Sequence, residues 1–475
     1  MMCSLVVILL LSISSSVASH GAGAGSQRYH VVKTSHLEPE SLCSGLKVAP
    51  SAEGTWVPLH RPFGPCSPSA GRAPAPTLLE MLRWDQVRTE YVRRKASSGA
   101  EDVLNPAKPR VLMSQTDFAV RSPFGVGSGS GSSAWIDADG DPTVVSQQTM
   151  AIDTTVDVPW IQCAPCPIPQ CYPQRDPLFD PTTSSTAAAV RCGSPACRSL
   201  GPYGNGCSNR SANAECRYLI EYSDDRATAG TYMTDTLTIS GTTAVRNFRF
   251  GCSHAVRGRF SDLTAGTMSL GGGAQSLLAQ TARSLGNAFS YCVPQASASG
   301  FLSIGGPATT NSTTVFATTP LVRSAINPSL YLVRLQGIVV AGRRLGIPPV
   351  AFSAGAVMDS SAVITQLPPT AYRALRRAFR NAMRAYPRSG ATGTLDTCYD
   401  FLGLTNVRVP AVSLVFGGGA VVVLDPPAVM IGGCLAFTAT SSDLALGFIG
   451  NVQQQTHEVL YDVAAGGVGF RRGAC

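Results

Sequence analysis

Two short stretches each set an aspartate after apolar residues and before a pair of hydroxyls. "AIDTTVDVPW" (151–160) carries Asp153-Thr154-Thr155, and "GAVMDSSAVI" (355–364) carries Asp359-Ser360-Ser361. A carboxylate acts as a general base only when ionised, whereas an acid catalyst must hold a proton. Two carboxyls at hydrogen-bond distance meet both needs, because like-charge repulsion makes them share one proton and separates their apparent pKa values. Water held between such a pair is deprotonated by one member while the other protonates or stabilises a polarised carbonyl oxygen. Neither a cofactor nor a metal is required. Thr154 and Ser360 directly follow the acids and are placed to bond across an interface, holding two loops in register. The same strings also occur in turns, where Asp, Ser and Thr satisfy local backbone, so the strings alone leave both possibilities open.

The elements around these acids are short and β-like. "CRYLIEY" (216–222), "TYMTDTLTI" (231–239) and "VRNFRFGC" (245–252) read as strands, the second with period-two alternation. Helical patterns are few: 275–285, and 370–386, where Tyr372, Leu375, Phe379 and Met383 form one stripe and Thr370 is placed to cap the first turn. That second helix serves as scaffold for the Asp359 loop. Upstream, residues 78–95 carry Leu78, Met81, Trp84, Val87 and Tyr91 at helical spacing together with five basic residues. Such a basic helix suits a removable inhibitory segment beside an acidic cleft, and equally a solvated surface helix. A Gly/Ser linker follows at 125–133, and a change of composition marks a boundary between two β-rich halves near 320.

A chain of 475 residues with 7% aromatic and 14% charged residues fits a turn-rich, two-domain β protein. The start, "MMCSLVVILLLSISSSVASH", reads as a signal peptide over 1–19, its apolar run too short for a membrane span. Fifteen cysteines support export; Cys3 leaves with the leader, Cys43 and Cys66 fall in the N-terminal segment, and twelve from Cys163 onward suffice for six bridges. Parity does not supply their connectivity. Prolines among the first cysteines and the scarcity of histidine argue against a zinc site. Asn209 and Asn311 open N-x-S/T sites for glycosylation. The formal charge is +8, but all four lysines precede residue 110, and from 126 onward 24 Arg face 20 acidic residues. That small excess does not indicate nucleic acid as a partner.

Taken in order, these blocks make the chain resemble the pepsin-like aspartic endopeptidases, and among them the plant nepenthesin-like group with its cysteine-rich insert. The resemblance covers most of 135–475: the two aspartate triplets, "VDVPWIQC", "CRYLIEYSDDRATAGTYMTDTLTI", "LGGGAQSLLAQT", "AFSYC", "LDTCYDF" and "GFIGNVQQQTHEVLYDVAAGGVGF". It implies a mainly β, bilobal acid-protease fold with a cleft between two β-rich lobes. The implied parts are a propeptide and linker over 20–125, an N-terminal lobe over 135–320 with a cysteine-rich insert at 163–216, and a C-terminal lobe over 321–475. It further implies catalysis by Asp153 and Asp359, support from Thr154 and Ser360, and a flap tyrosine, Tyr222, approached by the ring nitrogen of Trp160. A polypeptide substrate would lie in the cleft of a secreted, membrane-free monomer found outside the cell, in the cell wall or in the vacuole.

Several small positions depart from the family pattern. Thr155 and Ser361 stand where glycines are usual. Val156 and Ala362 replace the hydroxyl residues that support each carboxylate, and "TMS" (267–269) replaces an apolar-apolar-Gly element that is intact as Phe448-Ile449-Gly450 in the other half. In the flap, Asp224-Asp225-Arg226 replaces an acidic-Gly-Ser pattern, and "GDP" (140–142) replaces G-T-P. The retained acids lead to the expectation of an aspartic-type endopeptidase. The departures keep open the alternative of a catalytically inactive relative that binds a peptide, a glycan-active enzyme or another protein.

Overall fold

The computed structural model describes residues 28–37, 43–44, 46–50, 54–67, 75–98, 121–126, 134–136, 142–144 and 146–475, apart from short internal stretches such as 223–225 and 306–314. The leader, most of the linker, Asn311, Asp224-Asp225 and most of "GDP" lie outside the described residues.

Each aspartate terminates or follows a strand in the same local arrangement. Ser146–Asp153 runs parallel to Gly266–Ser269, which is antiparallel to Trp160–Gln162. In the second half Ala356–Met358 runs parallel to Gly447–Ile449, which is antiparallel to Thr365–Leu367 through Gln366 and Phe448. The first set belongs to a nine-stranded sheet and the second to a six-stranded one. The fold is mainly β and bilobal, as the sequence predicts. Strands buried on both faces need apolar residues at successive positions, and Ala356, Val357 and Met358 are all buried.

A seven-stranded sheet joins the halves. Its path places Ala288–Cys292 beside His457–Asp462, and Ala298–Ile304 beyond it. Aromatic residues fill the joint: Phe289 stacks on Tyr461 with ring centroids 4.4 Å apart, and the Tyr291 and Tyr461 hydroxyls are 2.8 Å apart. The N-terminal segment enters this architecture at several places. Thr55–Leu59 pairs antiparallel with 300–304, burying Val57 and Leu59, and Tyr29–Lys33 pairs with Asn406–Pro410.

The helix of this segment spans Leu78–Ser98, three residues longer than the periodicity predicts. Its amide and side chain at Thr77 form a capping pair with Glu80: the Thr77 amide donates to Glu80 Oε2 at 2.8 Å and the Glu80 amide to Thr77 Oγ1 at 3.3 Å. The stripe Met81 and Trp84 is buried, but so are Leu82, Asp85, Thr89 and Val92. A helix resting on one surface buries one stripe. This one is walled on two sides, packing Met81, Leu82 and Trp84 with Val363, Ile364 and Leu395, and Val92 with Leu330, Ala362 and Phe448. The solvated-surface alternative is thereby excluded.

The 370–386 pattern forms a helix at Pro369–Ala382, with Tyr372, Leu375 and Phe379 inward. Thr370 does not cap it with its own side chain; its amide donates to Asp443 Oδ1 at 2.8 Å from another loop. Ser276 caps the other helix, Leu277–Leu285. The twelve body cysteines form six bridges: 163–252, 166–171, 192–207, 197–216, 292–475 and 398–434. Cys43–Cys66 makes a seventh. Three of them staple the 163–216 stretch internally, while Cys163 ties it back to the strand bearing Cys252.

Candidate functional site

The two aspartate loops meet where the sheets abut. The Ser360 amide donates to Thr154 Oγ1 at 3.1 Å, and the Thr154 amide donates to Ser360 Oγ at 3.3 Å. These reciprocal bonds, together with Thr154 Oγ1 donating to the Met358 carbonyl at 3.3 Å, lock the loops in register. Asp153 and Asp359 are both buried, at 7% and 0% exposure, so their charges require partners.

The partner is Arg88, from the N-terminal helix. Its Nη1 and Nη2 donate to Asp153 Oδ2 and Oδ1, both at 3.0 Å. Its Nε and Nη2 donate to Asp359 Oδ2 and Oδ1 at 3.0 and 2.9 Å. All four carboxylate oxygens are therefore engaged, and the guanidinium takes the position where a shared proton and an attacking water would have to sit. Burial works against charge on Asp153, but the Arg88 guanidinium and the hydrogen bonds of Arg88 and Thr155 outweigh it and hold the carboxyl below its usual range.

The exchanged small residues have specific consequences. Neither Thr155 nor Ser361 lies in the positive-φ region, so a side chain there carries no backbone strain. The Thr155 amide and hydroxyl both donate to Asp153 Oδ1 at 2.8 Å, and the hydroxyl accepts from Arg88 Nη2 at 3.0 Å. Thr155 thus supplies the hydroxyl that Val156 lacks, which corrects the expectation of lost support in the first half. Asp359 is not rescued in this way. Its loop offers Oδ1 only the Ser361 amide, at 2.9 Å, because the Ser361 hydroxyl points across to the Ile152 carbonyl at 3.4 Å and Ala362 is packed in an apolar cluster. Behind Asp153, Ser269 is paired in register with it and has a buried hydroxyl with no partner among the described residues. At Gly450, a Cβ would come within 2.5 Å of the Ile364 carbonyl carbon, so that half keeps its glycine.

Trp160 Nε1 donates to the Tyr222 hydroxyl at 2.8 Å, and burial pushes that phenol up to about 12 despite the indole bond. Tyr91 of the helix donates to the Glu221 carbonyl at 2.9 Å, tying flap to helix. Asn209 is exposed and distant in sequence from the pair. The sequence did not single out Arg88 or Asp85. The available signal was a charged residue at 88 lying four residues from both Trp84 and Val92 on one side of the helix. Asp85 accepts from the Val363 amide at 2.7 Å; burial first, and then the nearby Asp359 charge, push its carboxyl up to about 7.

Two family models match the body of the chain: xylanase inhibitor N-terminal over residues 139–306 and xylanase inhibitor C-terminal over 330–472. The chain belongs to the pepsin-like aspartic-protease clan. An aspartyl protease family protein of Arabidopsis thaliana is 34% identical over 99% of this chain and 98% of its own length. Aspartic proteinase nepenthesin-2 of Nepenthes gracilis is 34% identical over 67% of this chain and 73% of its own. Among solved structures, conglutin gamma, a basic 7S globulin from lupine seeds, matches with a TM-score of 0.56 at 19% identity, covering 74% of this chain and 91% of that one.

These findings correct the expectation of an aspartic endopeptidase and of its hydrolase and protease character. Both halves match inhibitor models, and the fold is shared with a seed globulin. The geometry agrees at Asp359, whose own loop lacks a supporting hydroxyl, and in the full chain Arg88 ion-pairs both acids. Clan membership and the disulfide-rich body make this a secreted plant protein of the extracellular space or vacuole. No described helix is long and apolar enough to cross a membrane, and no described group of His, Cys, Asp and Glu is suited to hold a metal.

Proposed function

We propose that the chain is a non-catalytic binding protein of the pepsin-like fold whose partner is a glycan-cleaving enzyme of the xylanase class. The observation that carries this is the match of both halves to inhibitor models, beside an Asp359 whose own loop offers it no supporting hydroxyl; Arg88 bonds every carboxylate oxygen of the pair in the full chain. The match of both halves to xylanase-inhibitor models supports the partner class. In this reading the acids are anchors for a cation, and Thr154 and Ser360 keep their loops aligned. Trp160 holds Tyr222 over the cleft, and residues 20–125 act as the plug. The stapled 163–216 stretch supports a kinship with the nepenthesin-like members. Asn209 and Asn311 carry glycans, and the protein acts as a monomer toward a polypeptide partner.

The test is titration of a microbial endoxylanase with the secreted, oxidised full chain. Xylan hydrolysis is expected to fall by about tenfold at modest molar excess, as a tight one-to-one complex requires, and to be unaffected by the reduced, unfolded chain. Unchanged hydrolysis across a panel of endoxylanases, with no complex on size-exclusion chromatography, rejects the proposed partner.

A further inference from the structure

We propose that the outward face of the Pro369–Ala382 helix docks a carboxylated polysaccharide of the polyuronate class. The inference concerns a surface outside the cleft and goes beyond the inhibitory reading. The charge of the body is divided unequally between its halves. Residues 126–320 carry 11 Arg against 13 acidic residues, whereas 321–475 carry 13 Arg, no Lys and seven acidic residues. Six of those arginines, Arg373, Arg376, Arg377, Arg380, Arg384 and Arg388, fall in this one helix and the short stretch after it.

Folding does not ask for this array. The helix contains no acidic residue, and its Arg373/Arg377 and Arg376/Arg380 pairs set like charges at i, i+4, an arrangement that costs helix stability. Packing uses only the other face, where Leu375, Phe379 and Met383 are fully buried. The nearby acids are few and already engaged. Asp396 pairs with Arg376 and Arg380, and Asp443 accepts from Thr370, whose hydroxyl accepts from Arg373 Nη2 at 3.0 Å. Asp400 accepts from the Leu402 amide at 2.8 Å. Six guanidinium groups against these three carboxylates leave a local excess of positive charge. Arg377 and Arg384 are exposed and make no ion pair among the described residues.

The chemistry selects the occupant. Guanidinium groups meet carboxylates through paired, planar hydrogen bonds that an ammonium does not make, and every base of this half is Arg. Arg373, Arg377 and Arg380 rise on one side of the helix over about 10 Å, seven residues at a 1.5 Å rise. That spread suits an extended polymer bearing a carboxylate on every repeat better than one small anion. Asp396 tethers Arg376, which also lies over the Tyr372 ring at 5.6 Å, so part of the array is preorganised and loses little side-chain freedom on binding. A bilayer fits less well, because the apolar face is packed into the core and leaves nothing to insert below the headgroups. Secretion puts the chain among extracellular polymers rather than nucleic acids.

The experiment is affinity electrophoresis of the full, oxidised chain through gels holding polygalacturonate or the same polymer fully methyl-esterified. Polygalacturonate is expected to bind at least about tenfold more tightly than the ester at low salt, and to release the chain as salt screens the charges. Arg377→Glu/Arg384→Glu alters only exposed side chains and is expected to lose at least about tenfold in affinity. Arg246→Glu/Arg283→Glu makes the same charge change on exposed residues of the other half and is expected to bind as the wild type does. Equal retention by acid and ester, or equal loss in the two double variants, overturns the proposal. So does tighter binding to phosphatidylserine vesicles or to duplex DNA than to polygalacturonate. Arg377→Gln/Arg384→Gln is a milder arm that removes charge without reversing it, and wild-type affinity there also overturns the proposal. Xylanase inhibition is scored separately on the same variants and is expected to be unchanged, so failure of one idea is distinguishable from failure of the other.

Discussion

Arg88→Ala is expected to lower the stability of the full chain by about 3–5 kcal/mol at neutral pH, the usual cost of stranding buried charge by removing one partner. The sign of its pH dependence follows from Asp153. That carboxyl is held below its usual range in the folded chain, so its pairing contributes stability that is present above the unfolded value, near about pH 4. The contribution fades as pH falls through the lower folded value. The deficit of the variant should therefore be largest near neutrality and shrink in acid, where the two carboxyls left behind can share a proton. Thermal unfolding of both proteins at a series of pH values measures it. A deficit that stays constant with pH would show that Arg88 acts through packing alone.

Asp85→Asn is expected to do the opposite and stabilise the chain. The folded Asp85 carboxyl is pushed up to about 7 from 3.8, with burial the leading cause. A raised acid favours the folded state only while protonated, so its penalty is absent below the unfolded value and complete above the folded one. The window runs from about pH 4 to about 7, and the shift corresponds to an upper limit on the order of 4 kcal/mol. Asparagine keeps an oxygen for the Val363 amide without the charge. The variant should melt several degrees above the wild type near pH 7 and coincide with it near about pH 4. A loss of stability at both values would mean that Asp85 is ionised throughout and needed as such. Together, Asp85 and Asp153 place the tightest seating of the helix in mildly acidic solution.

Much of the architecture is legible from particular residues. Asp153 and Asp359 stand out because an apolar-Asp-hydroxyl-hydroxyl unit recurs, and the structure brings the two copies together with Thr154 and Ser360 bonded across the joint. Trp160 and Tyr222 are legible only through the family resemblance, since either side chain alone reads as packing. What could not be read is long range. Arg88 lies 65 residues from Asp153 and 271 from Asp359, and no local pattern specifies a contact at such separations. The helical stripe at 78–91 predicts one buried face, whereas the cleft buries two. Thr155 reads from sequence as an intrusion at a glycine site. Only its rotamer shows that it replaces the hydroxyl missing at Val156. The strand Thr55–Leu59 is equally hidden, because its pairing with 300–304 depends on a register set by the distant half of the chain.

The central claim is that the paired acids bind a cation and do not hydrolyse peptides. Arg88→Ala frees both carboxyls, and proteolytic cleavage within the Gly/Ser linker at 125–133 lets the Leu78–Ser98 helix leave the cleft, so the cleaved variant gives any latent catalysis its best opportunity. Purified, oxidised and cleaved Arg88→Ala should be assayed on a denatured protein substrate from about pH 3 to about 7, the range in which a carboxyl pair holding one proton would be active. Its companion is Arg88→Ala/Asp153→Asn. The two are expected to release fragments at the same background rate throughout. Cleavage by Arg88→Ala in acid that disappears in the double variant would contradict the account and restore the dyad as catalytic.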